Sequence, residues 1–128
     1  MKQTILAIAM MVCCITTFGR SAMDRWPALK SFHEVMAATF HPSEEGKLEP
    51  IKKQIDEFVN RAAELKTAPR PSEYDNAKVN TVITKLNVGA KELKVLIVKK
   101  APDAQIRTKL STLHGLFHQI VDLTTKSE

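Results

Sequence analysis

Between its proline breaks this chain repeats one arrangement four times, with apolar side chains recurring at alternating steps of three and four residues. Leu29, His33, Met36 and Phe40 follow that rhythm after Trp26-Pro27, and Leu48, Ile51, Ile55, Phe58, Ala62 and Leu65 follow it around Pro50. Val79, Ile83, Leu86, Ala90, Leu93 and Ile97 make a third stripe, and Ile106, Leu110, Leu113, Phe117 and Ile120 a fourth after Pro102-Asp103. A mean step near 3.6 lines one side of an α-helix, and stripes this narrow suit helices packed at shallow angles. Pro27 and Pro50 fall in first helical turns, where a missing amide hydrogen leaves no bond unmade. Strand signals are missing: the apolar residues 95–98 lie inside a helical pattern.

The breaks set the connectivity. Residues 66–72 (KTAPRPS) hold two prolines and cannot continue a helix, 99–103 (KKAPD) form a short turn, and 41–50 (HPSEEGKLEP) are the longest link. Short links place successive helices antiparallel, so the expected fold is all-α, an antiparallel up-down-up-down four-helix bundle over residues 23–128. No internal repeat or low-complexity segment accompanies it.

Residues 1–22 stand apart from this pattern. A short positive start (Met1-Lys2), an apolar run over 4–18 and the small residues Gly19, Ser21 and Ala22 have the layout of a secretory signal peptide, cleaved after Ser21 or Ala22. The run is shorter than the ~20 residues of a spanning helix, so no membrane span is expected after cleavage. Neither Cys13 nor Cys14 is preceded by the residues of a bacterial lipid-attachment site. The expected location is periplasmic or secreted.

Both cysteines lie in that leader. The mature chain then has no thiol, which fits an oxidising compartment and excludes a disulfide framework, a thiolate nucleophile, a cysteine zinc site, an iron–sulfur centre and c-type haem attachment. The formal charge of +5 falls to about +3 once Lys2 and Arg20 leave, with both signs interspersed. One Trp and one Tyr offer little for base stacking, so nucleic acid is not an expected partner.

All four histidines fall in two short stretches, FHEVMAATFH (32–41) and LHGLFHQI (113–120). His33 occupies a stripe position and should face the core, where both ring nitrogens need partners. His114 and His118 are four apart, the usual helical chelate for a divalent transition metal. In an up-down bundle the end of the first helix and the start of the last share one end. His33 then lies about 12 Å and His114 about 18 Å from it, at ~1.5 Å per residue. Side chains lean toward each helix's N-terminus, so the two converge. The expected metal site is His33, His114 and His118, with Met36, His41, Glu44 and Glu45 as further contributors. His41 reads equally as a helix C-terminal residue favoured by the dipole.

Histidine and methionine in an oxidising compartment suit copper or zinc, with nickel as a competitor. Catalysis has no support: there is no nucleophile elbow, no phosphate-cradling glycine loop, and HGLFH lacks the glutamate of a zinc protease helix. Glu34 adjoins His33 and points elsewhere on the helix.

With Met36 on the first helix and His114 or His118 on the last, the layout resembles the soluble periplasmic b-type cytochromes built as four-helix bundles. That resemblance spans the mature chain as an arrangement of helices, with no family-specific string. It implies a b-type haem electron-transfer protein, with the porphyrin held through Met36 and His114 or His118. Ala37, Ala38 and Gly115 would make room for the ring or simply allow close helix contact. A third expectation is a periplasmic adaptor or stress-response bundle without cofactor, acting on another periplasmic protein, in which the histidines only pack.

Overall fold

A computed structural model describes residues 22–125; the leader expected over 1–22 lies outside it except for Ala22. The described chain is all-helical. A short α1 (Ala22–Arg25) leads into four long helices, α2 (Pro27–Glu44), α3 (Glu49–Thr67), α4 (Ala77–Val98) and α5 (Asp103–Thr125), with a 3-10 turn at Ser72–Tyr74. Each long helix packs on the next in sequence, and α2 also meets α5.

Three of the four stripes land where the spacing puts them. Ile51, Ile55, Phe58, Ala62 and Leu65 of α3 are buried, as are Val79, Ile83, Leu86, Ala90 and Leu93 of α4, and Ile106, Leu110, Leu113, Phe117 and Ile120 of α5. Ile97 is only partly covered. Helix α2 departs from expectation. Its buried face runs through Leu29, Phe32, Val35, Met36, Thr39 and Phe40, and His33 is half-exposed beside it. The larger apolar ring of Phe32 takes the inward position, packing edge-on to Phe58 with centroids 5.2 Å apart. Burying a phenyl ring is favourable, whereas burying an imidazole demands partners for its nitrogens.

The link expected at 41–50 is shorter than the sequence implies, because α2 continues through Pro42 to Glu44. Proline's fixed φ is compatible with helix, although at position 42 it forfeits the bond an amide would donate to the Ala38 carbonyl. Hydroxyls bond back to the turn around it: Thr39 Oγ1 donates to the carbonyl of Val35 at 2.8 Å, and Ser43 Oγ donates to that of Phe40 at 2.5 Å. Gly46, at φ +81°, then stops the helix. Its amide reaches the Ser43 carbonyl and the Lys47 amide the Pro42 carbonyl, a Schellman closure that only glycine adopts without strain.

Helix α4 ends in the same closure with the wrong residue in the strained place. Lys100 has φ +54°, its amide bonded to the Ile97 carbonyl and that of Ala101 to the Leu96 carbonyl. A left-handed lysine costs roughly 1 kcal/mol that glycine does not. Lys100→Gly is therefore expected to stabilise the fold by about 0.5–1 kcal/mol, read as a raised urea midpoint at unchanged slope.

The proline-rich link between α3 and α4 is held by the chain's single tryptophan and single tyrosine. Trp26 and Tyr74 are both fully buried and stack with centroids 6.2 Å apart. The Arg70 guanidinium lies 5.3 Å from the Trp26 ring and that of Arg25 lies 5.5 Å from the Tyr74 ring. Arg25 also pairs with Glu73, and Arg70 with Asp75 and Asn80. Contacts with Asn80 and Arg70 hold the Asp75 carboxyl below its usual range. Cation–π contacts and ion pairs thus fasten the first described residues and the crossover to each other.

Candidate metal centre

The histidines gather where α2 meets α5, in a ladder of rings. Phe40 of α2 lies flat on His114 of α5, centroids 3.8 Å apart at 13°. His114 meets His118 edge to face at 4.4 Å, His118 meets Phe117 at 5.8 Å, and Phe117 carries His33 stacked on it at 5.5 Å. Phe117 is buried, so the ladder is rooted in the core at that rung and reaches solvent at His118. Helical spacing explains it: residues 114 and 118, or 33 and 40, lie one or two turns apart on one side.

Its chemically distinctive feature is the pair of nitrogens between His114 and His118, whose Nε2 atoms lie 3.0 Å apart. At that distance a single proton can sit between them, one ring donating and the other accepting. Two protonated rings would point N–H at N–H. A divalent ion can take the proton's place. With metal–nitrogen bonds of about 2.0–2.1 Å, two imidazoles bound at 90–110° have nitrogens about 2.9–3.4 Å apart.

Burial and neighbouring charge disfavour the protonated form of His114. Its imidazole is held below the ordinary value of 6.5, first by burial under Phe40 and then by the nearby His118, with lesser contributions from His41 and His33; Glu44 opposes them. A depressed histidine makes the unfolded chain the better proton binder. Its contribution to stability is therefore intact above 6.5 and is lost as pH falls from there through the lowered folded value. An NMR pH titration of the His114 ring protons is expected to give a midpoint below 6.5; a midpoint at or above it would refute the half-buried, His118-facing placement.

The other expected ligands are dispersed. His33 is occupied against Phe117, and Met36 is enclosed in the core. His41 is exposed at the end of α2 with Nδ1 3.5 Å from Glu44, while Glu45 turns to Lys47 at 3.3 Å. Among the described residues no three histidine, aspartate, glutamate or cysteine side chains converge on one ion position. The expected trio of His33, His114 and His118 is thus not assembled as drawn, because Phe32 rather than His33 takes the inward place on α2. The pair on α5 is assembled, because it needs only helix geometry.

Ala37 and Ala38 lie at or near the outer surface of α2, and a Cβ added at exposed Gly115 would meet nothing within 4 Å. What the sequence reading missed is Phe40 as the cover of His114; its spacing of eight from Phe32 was the available signal. Beside it a depression of about 360 Å³ is lined by Phe40, Ser43, Glu44, Arg107, Ser111 and Thr112 among others.

No protein-family model matches the chain, and no similar protein was found among curated proteins or among solved structures. Among the described residues no helix is long and apolar enough to cross a membrane.

Proposed function

We propose that this chain is an exported transition-metal-binding protein that holds one ion at His114 and His118, for storage or delivery and not for catalysis. The observation that carries this reading is the 3.0 Å approach of the two Nε2 atoms on adjacent turns of α5. Glu44 and His41 stand at the end of α2, near enough for their charges to act on His114. On this reading Glu44 or His41 is the candidate third ligand, with water completing the coordination. For an imidazole pair with open positions, copper(II) is held tightest, ahead of nickel and zinc. An ion is favoured over haem because Met36 is closed into the core and Phe40 covers one face of His114.

The same reading takes the bundle as up-down-up-down. Pairs between helices support alternating directions: Arg61 of α3 donates to the Ser31 carbonyl of α2, Lys94 of α4 meets Asp56 of α3 at 2.8 Å, and Lys109 of α5 meets Glu92 of α4. Each joins the first half of one helix to the second half of its neighbour. Export with cleavage after Ser21, not Ala22, is supported by the buried side chain of Ala22 and by its carbonyl, which accepts the Trp26 amide at 2.9 Å.

Titrating purified protein with copper(II), nickel(II) or zinc tests the proposal. Uptake of one ion per chain is expected, with zinc shifting the ring signals of His114 and His118 and the melting temperature rising by linkage. At an ion concentration a hundredfold above Kd the added stability is about 2.7 kcal/mol. Uptake that leaves both ring signals unmoved would dispose of the site.

A further inference from the structure

Away from the histidines, the outer faces of α4 and α5 diverge along their seam into an open groove. One stretch of it, about 520 Å³, is walled by Val88, Val95 and Leu96 of α4 and by Lys109 of α5. It runs on past Thr112 to Leu116 in one direction and past Thr108 to Ala104 in the other. Its floor is close-packed: a Cβ at buried Gly89 would collide with Leu113 Cδ2, so the two helices touch there while their flanks stay apart. The large hydrophobic side chains left exposed among the described residues are Val88, Val95 and Val98, all on α4. Positions 88 and 95 lie two turns apart on one face, and each is about half exposed among the described residues.

Charge narrows what could cover them. Lys85, Lys91 and Lys109 line the groove with Glu92, and that glutamate is tied to Lys109 at 2.5 Å. Lys85 and Lys91 form no ion pair among the described residues, so the groove has an apolar bed and an unneutralised basic rim. A second copy of this chain would set lysines against lysines. An anionic lipid surface would satisfy the lysines and leave the trough unfilled. A helix fills it. From Thr84 to Leu96 the groove follows about 18 Å of α4, room for roughly three turns presenting apolar anchors at i, i+3 or i+4, and i+7.

We infer that the α4/α5 groove is the docking site for an acidic amphipathic helix of a partner protein. Leucine or similar anchors seat against Val88, Val95 and Leu96, and flanking carboxylates meet Lys85 and Lys91. The inference is independent of the metal reading, since the groove contains no histidine.

The test uses the full chain, labelled for NMR, and two synthetic helical peptides of about five turns with identical leucine anchors, one flanked by glutamates and one by lysines. The glutamate peptide is expected to shift the amides of Val88, Val95 and Leu96 and to bind at least about tenfold more tightly than the lysine peptide, with affinity falling as salt rises. Val95→Asp should weaken it about tenfold or more. Lys91→Glu, which leaves the apolar bed intact, should do so too, and His118→Ala should leave it unchanged. Equal binding of both peptides, shifts outside the groove, or indifference to Lys91→Glu would overturn the assignment. So would sedimentation with phosphatidylglycerol vesicles without peptide binding, or self-association abolished by Val95→Asp.

Discussion

Trp26→Ala should cost about 3–5 kcal/mol, the largest loss of stability expected from a single substitution in this chain. The indole is fully buried, is stacked on Tyr74 and carries the Arg70 guanidinium on its face. Truncation leaves a cavity lined by groups that have no other way to close it. It also releases the link between α3 and α4, whose ion pairs of Arg25 with Glu73 and Arg70 with Asp75 are positioned by the two rings. For a domain of this size each kcal/mol moves the melting temperature by about 4–8 °C, so a drop of more than about 12 °C is expected by circular dichroism. Trp26→Phe makes the informative companion. Among the described residues the buried indole Nε1 has no hydrogen-bond partner, and phenylalanine removes that donor along with part of the ring. The gain of about 1 kcal/mol or more from losing an unsatisfied donor offsets most of the small cavity, leaving a net change within about 1 kcal/mol. A Trp26→Ala variant that melts within a few degrees of the parent would mean that the chain around it is not docked on the core.

His118→Ala should reduce metal affinity by more than about a hundredfold, because groups that merely support a ligand already contribute 10–100-fold. That is roughly 3 kcal/mol of binding. The fold should hardly notice, since His118 is exposed on α5 and alanine is the better helix former by a few tenths of a kcal/mol. Separation of the two effects makes the experiment decisive: lost uptake in a chain that melts normally is loss of a ligand, not of a structure. Removing His118 also removes the second cause of the depressed His114 pKa, so that ring should titrate closer to its ordinary value. Isothermal titration against the parent and an exposed control such as Glu64→Ala reads the affinity. Equal affinities in all three would remove the basis for the site.

The legible and the illegible parts of the site differ in one respect, the number of helices that must be placed at once. His114 and His118 lie on one helix four residues apart, so the turn of the backbone alone brings them together. His33 had to be placed by the rotation of α2, and the spacing of Leu29, Met36 and Phe40 does not fix that rotation to within one residue. The bulk of Phe32 against Phe58 and Phe117 turns the helix so that His33 leaves the interior. The end of α2 is illegible for a related reason. Pro42 reads as a stop in isolation, while in the chain Gly46 provides the stop four residues later.

By itself the amino-acid sequence determined that this chain is helical, that it has four long helices and which residues of three of them are buried. Those properties follow from period, proline position and the avoidance of water by apolar stripes, all local quantities. Tertiary structure decided which ring covers His114, that Trp26 and Tyr74 bind the crossover to the first described residues, and that α4 keeps three valines exposed beside lysines. Such features depend on the relative rotation and separation of helices far apart in the chain. Many side chains packed together set that geometry, and no short stretch of sequence encodes it.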